Sequence, residues 1–127
     1  MSRTYVKKIC LFGGTGFVGS SIIKLLAKNG HELKIATRSP FDEDVLELKS
    51  TVSDPGQIKI EKINISSKDQ IKNFIKGSDI CINLIGILYE KGSNNFQKIH
   101  TDFVNDLALL IKQENSIKHF IHFSSLG

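Results

Sequence analysis

An open parallel α/β sheet, wound with helices on both faces, is the fold this sequence predicts, and three observations predict it. Two short apolar runs, KKICLF and DICINLIGIL, lack polar alternation and have the character of strands buried on both sides. Between such runs lie segments whose apolar residues recur at helical spacing. Glycines at 13, 16 and 19 stand where the first run gives way to the first of these segments. Strict alternation of strand and helix implies parallel strands joined by right-handed crossovers. The expected sheet is doubly wound, five strands in the order 3-2-1-4-5, in one domain over residues 1–127.

Taken in order, KKICLF is the first strand and stops at glycine. Val18, Ile22, Leu25 and Leu26 then mark one side of a helix, with Lys24 and Lys28 opposite, until Gly30 supplies a left-handed stop. ELKIAT is the second strand. Ser39 and Pro40 followed by Asp42, Glu43 and Asp44 form an acid-rich helix start, predicting a short helix over about 40–50 before the Asp54-Pro55-Gly56 loop. IKIEKINI alternates as the third strand. Ser67 to Gln70 reads as a capping box, Ile71, Phe74 and Ile75 give an apolar stripe, and Gly77 closes that helix. DICINLIGIL is the fourth strand, and after a polar loop Phe96, Ile99, Phe103, Leu107, Leu110 and Ile111 share one face of a long helix. KHFIHFSS is the fifth strand.

Composition narrows the function. With 127 residues, 40% hydrophobic and 24% charged, the chain has the make-up of a soluble globule. The net charge of +4 comes mostly from lysines spread singly, with no basic cluster interleaved with aromatics, which argues against nucleic acid. A mild attraction to anionic cofactors or to an acidic lipid surface remains. No apolar run is long enough for a transmembrane segment and the N-terminus lacks a secretory leader, so the expected location is cytoplasmic. Cys10 and Cys81 both lie in apolar runs, as small buried hydrophobes do, and are expected to be reduced. Without a C-x-x-C they offer nothing for a metal.

The glycines carry the chemistry. A tight turn out of the strand needs a residue without a side chain at Gly13, close approach of a pyrophosphate needs one at Gly16, and helix-to-sheet packing needs one at Gly19. The helix that follows points free N–H groups and its positive end at such an anion. The end of the second strand then selects between cofactors. A site for the unphosphorylated dinucleotide places an acid there to accept the ribose hydroxyl, but this chain has Ala36-Thr37-Arg38-Ser39. Glu32 lies at the strand's start, the wrong end of the sheet. Arg38 has no acceptor to offer and forks well onto a phosphate, so NADP(H) is expected ahead of NAD.

These residues resemble a known family. KICLFGGTGFVGSSIIKLLAKNGHELKIATRSP, INLIGILYEKGSNNF and IKHFIHFSSLG are similar to the extended and atypical short-chain dehydrogenase/reductase superfamily. Within it they are most similar to the NADPH-binding accessory-subunit group of respiratory complex I and its bacterial relatives. That resemblance implies a pyrophosphate wrapped by Gly13, Gly14, Thr15, Gly16, Phe17 and Val18, with Gly19 behind them, and a 2′-phosphate read by Arg38. It implies that Asn64 and Ile65 border the adenine, where many relatives carry an Asp, that Leu84, Ile85 and Gly86 line the ribose, and that Ser124 or Ser125 approaches the nicotinamide. It also implies complex I subunits as partners and peripheral attachment at the cytoplasmic or matrix face of a membrane.

What is missing bears on catalysis. Enzymes of that superfamily use a Tyr-x-x-x-Lys pair on the helix after the fifth strand. Here Tyr5 and Tyr89 are followed four residues on by Ile9 and Ser93, so no catalytic residue is assigned. His119 and His122 fall on opposite faces of a strand and cannot share a metal, His100 lies within a helix, and His31 sits in a turn. Ser124 has no neighbouring base to make it a nucleophile. Relatives are more than twice as long, and nothing in this chain would cover the outer side of strand five. The expectation is therefore a cofactor-binding module truncated relative to its family, completed by a partner chain or a missing C-terminal half. The alternatives are the N-terminal half of a split sugar-nucleotide epimerase or reductase, and a vestigial remnant that binds nothing.

Overall fold

The computed structural model describes residues 6–13, 17–37, 57–85 and 94–123, with 17–18 and 94–100 described as helix backbone. Parallel strands β1 (Lys8–Phe12), β2 (Glu32–Thr37), β3 (Ile58–Lys62), β4 (Ile80–Asn83) and β5 (His119–His122) form one sheet in the order β3-β2-β1-β4-β5. Helices α1 (Phe17–Lys28), α2 (Lys68–Ile75) and α3 (Asn94–Gln113) pack on it. The predicted strand count and order both hold. The helix expected over about 40–50 lies outside the described residues.

The central strands are apolar on both faces because both are covered. Ile9, Leu11, Leu33, Ile35, Ile58, Ile82 and Leu84 meet Ile23 and Ala27 of α1 on one side. Cys10, Phe12, Ala36 and Cys81 meet Ile71, Phe74 and Ile75 of α2 and Phe103 and Leu107 of α3 on the other. Phe12, at the end of β1, holds the second layer together. Its ring lies edge-on to Phe74 at 5.1 Å and to Phe103 at 5.0 Å, a geometry worth about 0.5–1.5 kcal/mol per pair beyond the area buried.

Helix ends follow the sequence closely. Gly30 has φ +88°, the Gly30 N–H donates to Ala27 O and the His31 N–H to Leu26 O, so the last turn of α1 closes on itself as predicted. Gly77 ends α2 with φ +80°, but its N–H donates to the carboxylate of Glu114, just beyond α3. At the start of α2 the Ser67 hydroxyl accepts from the Gln70 N–H as expected. The return arm differs, since Gln70 Oε1 accepts from the Asn64 N–H, the Ser67 N–H being already bound to Asn64 O.

One expectation about a helix face and three about strand ends are corrected. Leu25, placed in the apolar stripe of α1, is 60% exposed. The helix rests on the row Gly19, Ile23, Ala27, and two residues beyond Ile23 the chain has turned about 200° away from the sheet. The fourth strand ends at Asn83 rather than running on through its apolar sequence. Its end is set by a side chain: Asn83 Oδ1 accepts from the Ile85 N–H at 3.1 Å, and a donor used in this local turn is no longer aimed along a sheet ladder. Strands three and five likewise stop short of their predicted ends, at Lys62 and His122.

Candidate functional site

All five strands are parallel, so their carboxyl ends open on one side. Successive strands run outward from β1 to β3, and the chain then crosses to place β4 on the other side of β1. The crevice between the ends of β1 and β4 is the switch point at which open α/β sheets hold ligands.

Gly13 stands at that point. Its φ is +87°, a left-handed conformation that costs an L-residue with a Cβ roughly 1–2 kcal/mol. Its N–H donates to Ala36 O at 3.2 Å, continuing the pairing with β2 by one rung. A Cβ on Gly13 would come 3.2 Å from Ile85 N, 3.3 Å from Ile85 Cγ1 and 3.4 Å from Leu84 C. The turn therefore lies against the backbone leaving β4, and the helix α1 begins four residues later. Gly19 is buried on the sheet-facing row of α1, as a packing role requires.

Beneath the turn is a polar link that composition does not reveal. Asn83 is fully buried at the end of β4. With its Oδ1 occupied by the Ile85 N–H, its Nδ2 faces His122 Nδ1 at 3.0 Å and can only donate. The bond network thus assigns His122 the neutral tautomer protonated at Nε2. Asn83 fixes both the backbone that carries Gly13's neighbour and the ring at the end of β5. The only sequence signal for this pair was its place at the carboxyl ends of two apolar strands.

The other predicted residues fall as follows. Asn64 follows β3, and its Oδ1 accepts from the Ser66 N–H while its own N–H is held by Gln70, which leaves the exposed Nδ2 for anything above. Ile65 is half-buried against the α2–α3 layer. Leu84 is 0% exposed with its side chain in the α1-side core, so what it offers the crevice is backbone. Ile85 borders Gly13. Gly14, Thr15, Gly16, Arg38, Gly86, Ser124 and Ser125 lie outside the described residues, as do the side chains of Phe17 and Val18. The structure thus brings Gly13, Leu84 and Ile85 together at one point.

Remaining candidates for chemistry resolve into structure. Cys10 and Cys81 face each other in the β1–β4 register, both free and buried. The Cys10 thiol alongside and burial together push the Cys81 thiol well above the ordinary thiol range, and with both residues 0% exposed neither sulfur is open to a substrate. His31 Nδ1 accepts from the Lys7 N–H and so ties the approach to β1 to the turn after α1. Among the described residues no cluster of His, Cys, Asp or Glu could hold a metal, and no helix is long and apolar enough to cross a membrane. On the α1 side of β5, Ile121 is 44% exposed.

A five-stranded parallel sheet in this order, with a left-handed glycine turn at its switch point, defines an α/β module of the Rossmann type. The chain belongs to the NmrA-like family, which it matches over residues 6–127. It is 32% identical over 117 residues to an Arabidopsis thaliana protein named NADH dehydrogenase [ubiquinone] 1 alpha subcomplex subunit 9, mitochondrial, covering 92% of this chain and 29% of that one. The mouse protein of the same name is 29% identical over 92% of this chain and 30% of its own length. Anthocyanidin reductase of Arabidopsis thaliana is 23% identical over 98% of this chain and 38% of its own. The chain thus spans about 30% of the length of the complex I relatives it matches. Among solved structures, the negative transcriptional regulator NmrA superposes with TM-score 0.73 in complex with NAD, at 17% identity, covering 92% of this chain and 33% of that one. Its complex with NADP superposes with TM-score 0.72, again at 17% identity over 92% and 33%. That likeness establishes the fold.

Proposed function

We propose that this chain is a nicotinamide-dinucleotide-binding module that holds NADP(H) over the carboxyl end of its sheet, with a structural or sensing role beside respiratory complex I and no catalysis of its own. The observation that carries the proposal is the turn at Gly13, whose left-handed backbone runs against Leu84–Ile85 at the switch point and leads into the N-terminus of α1. A pyrophosphate there would meet backbone N–H groups and the positive end of the helix. Gly13 to Val18 would wrap it, Arg38 would take the 2′-phosphate, Asn64 and Ile65 would border the adenine, the backbone of Leu84 with Ile85 and Gly86 would line the ribose, and Ser124 would approach the nicotinamide. When bound, the dinucleotide supplies a hydride donor or acceptor. No residue of this chain is assigned to move the accompanying proton, because neither tyrosine has a lysine four residues on.

Support for the cofactor comes from NmrA, a structural neighbour solved with NAD and with NADP. Support for the setting comes from the complex I relatives, which would make the partners other subunits of that complex and the location a membrane-peripheral one. The similarity to anthocyanidin reductase favours a second reading, in which these residues are the cofactor-binding part of a reductase whose catalytic residues lie outside them.

Titration of the purified chain with NADPH and NADH, followed by nicotinamide fluorescence, tests the first claim. NADPH should bind more tightly, and Arg38→Ala should abolish the preference. Failure of both dinucleotides to bind at millimolar concentration would overturn the module reading, and a preference that survives Arg38→Ala would remove the role of that arginine. Substrate-dependent oxidation of NADPH by this chain alone would refute the non-catalytic role.

A further inference from the structure

At the amino end of the sheet, opposite the glycine turn, lies a cavity of about 220 Å³ whose lining includes Lys8, Lys34, Lys59, Lys76, Glu32 and Ser78. Nothing in the proposed dinucleotide site reaches it, since that site sits beyond the other ends of the same strands. Its charge is concentrated by the sheet register. Lys34 and Lys59 are direct partners across β2 and β3, so two lysine stems rise side by side from one face. Like charges placed directly opposite in a sheet are destabilising unless something offsets them. Lys8 stands opposite Glu32 in the β1–β2 register, and Glu32 is the single carboxylate in the lining.

The remaining groups offset this charge only in part, the Asp79 carboxylate lying at the Lys8 N–H. Lys34 Nζ donates to Phe74 O at 2.5 Å and lies 5.2 Å from the Phe74 ring centroid, so it offsets the negative end of α2 without losing its own charge. Among the described residues, the ammonium groups of Lys8, Lys59 and Lys76 have no hydrogen-bonded or ion-paired acceptor. Glu114, on which Lys76 acts only weakly, is committed to the Gly77 N–H and the Ser116 hydroxyl. A Cβ at Gly77 would meet nothing within 4 Å, which marks open space at the rim. Ser78 also contributes to the lining, with its side chain 1% exposed and its hydroxyl beside the Cys10 thiol.

We propose that this cavity is a second ligand site, built for a small polyanion of the diphosphate class, either free in solution or presented by phosphate headgroups at a lipid surface. Four ammonium groups against one carboxylate suit several negative charges rather than one. The volume falls below the ~300–1,000 Å³ of pockets that enclose drug-sized molecules, so the charged group alone enters and anything attached to it stays outside.

The test uses the whole chain and two probes. Inorganic pyrophosphate is titrated by calorimetry at low salt, with NADPH present at saturation so that the glycine turn is occupied. In parallel, flotation is measured with phosphatidylcholine vesicles with and without phosphatidylglycerol. Lys59→Gln with Lys76→Gln should weaken binding of whichever probe is taken by roughly 30-fold, on the scale of about fivefold for each lysine facing phosphate. Dependence on Lys59 and Lys76, which lie at the opposite end of the sheet from the glycine turn, separates this site from the dinucleotide site even if NADPH does not bind. Binding of pyrophosphate identifies a soluble ligand, and binding of the anionic vesicles alone identifies the membrane surface. The proposal is overturned if neither probe binds, or if binding survives the double lysine variant in a chain whose circular dichroism is that of the wild type.

Discussion

Replacing Asn83 with leucine tests the link between the end of the sheet and the turn that would cradle a cofactor. Asn83 is wholly buried and makes two side-chain bonds, accepting from the Ile85 N–H at 3.1 Å and donating to His122 Nδ1 at 3.0 Å. Leucine keeps the branched heavy-atom outline, with larger methyl ends, and removes both. His122 is exposed, so water can take over at Nδ1, whereas the half-buried Ile85 N–H has no such recourse. Leaving a buried donor unpaired costs about 1–3 kcal/mol, against which the better transfer of leucine recovers part, so a net loss of about 1–2 kcal/mol is expected. Urea unfolding measures it. Asn83→Asp gives the complementary result: its carboxylate accepts from Ile85 as before but can only accept from His122, so the ring must carry a proton on Nδ1. Nitrogen-15 NMR of the histidine ring should then read the proton on Nε2 in the wild type and a proton on Nδ1 in Asn83→Asp. A wild-type ring protonated at Nδ1, or a leucine variant as stable as the wild type, would refute the assigned network.

Gly13→Ala should destabilise by about 2 kcal/mol, combining a left-handed φ with a Cβ 3.2 Å from Ile85 N, and a change below about 0.5 kcal/mol by urea unfolding would contradict the turn described. On α1, Ile23→Ala should cost about 2–5 kcal/mol and Leu25→Ala within about 0.5, the reverse order refuting the orientation of that helix. Glu114 has its carboxyl held below the ordinary range by the Gly77 N–H and then by the Ser116 hydroxyl. Because the folded chain depresses this pKa, the stabilisation is complete above the unfolded value of about 4.3 and is lost as pH falls through the lower, folded one. Thermal melts of Glu114→Gln should therefore lie below the wild type at neutral pH and converge with it in acid, and a gap that widens on acidification would oppose the assignment.

The fold was legible where the chain alternates between two periods. Continuous apolar runs named the strands and helical spacing named the covering layers, because a parallel sheet must bury both faces. Gly30 and Gly77 marked helix ends because a left-handed stop is a local property of backbone. The faces were less legible. A stripe containing Ile22, Leu25 and Leu26 is as good a helical pattern as Gly19, Ile23, Ala27, and the choice between them depends on how closely α1 approaches the sheet, which Gly19 permits. DICINLIGIL was read as one long strand because hydrophobicity does not show that Asn83 would take the Ile85 N–H.

Local chemistry in the sequence alone determined the order of strands and helices and the glycine turn at the first crossover. Each of these depends on neighbours within a few residues, which is the range over which side-chain type constrains φ and ψ. Tertiary structure decided what residues distant in the chain do together. Only folding placed Gly13 against Ile85, donated an amide hydrogen from Asn83 to His122, and stood Lys34 beside Lys59 at the opposite end of the sheet. Parallel pairing sets such contacts through register across long crossovers, and register is a property of the assembled sheet that no single segment encodes.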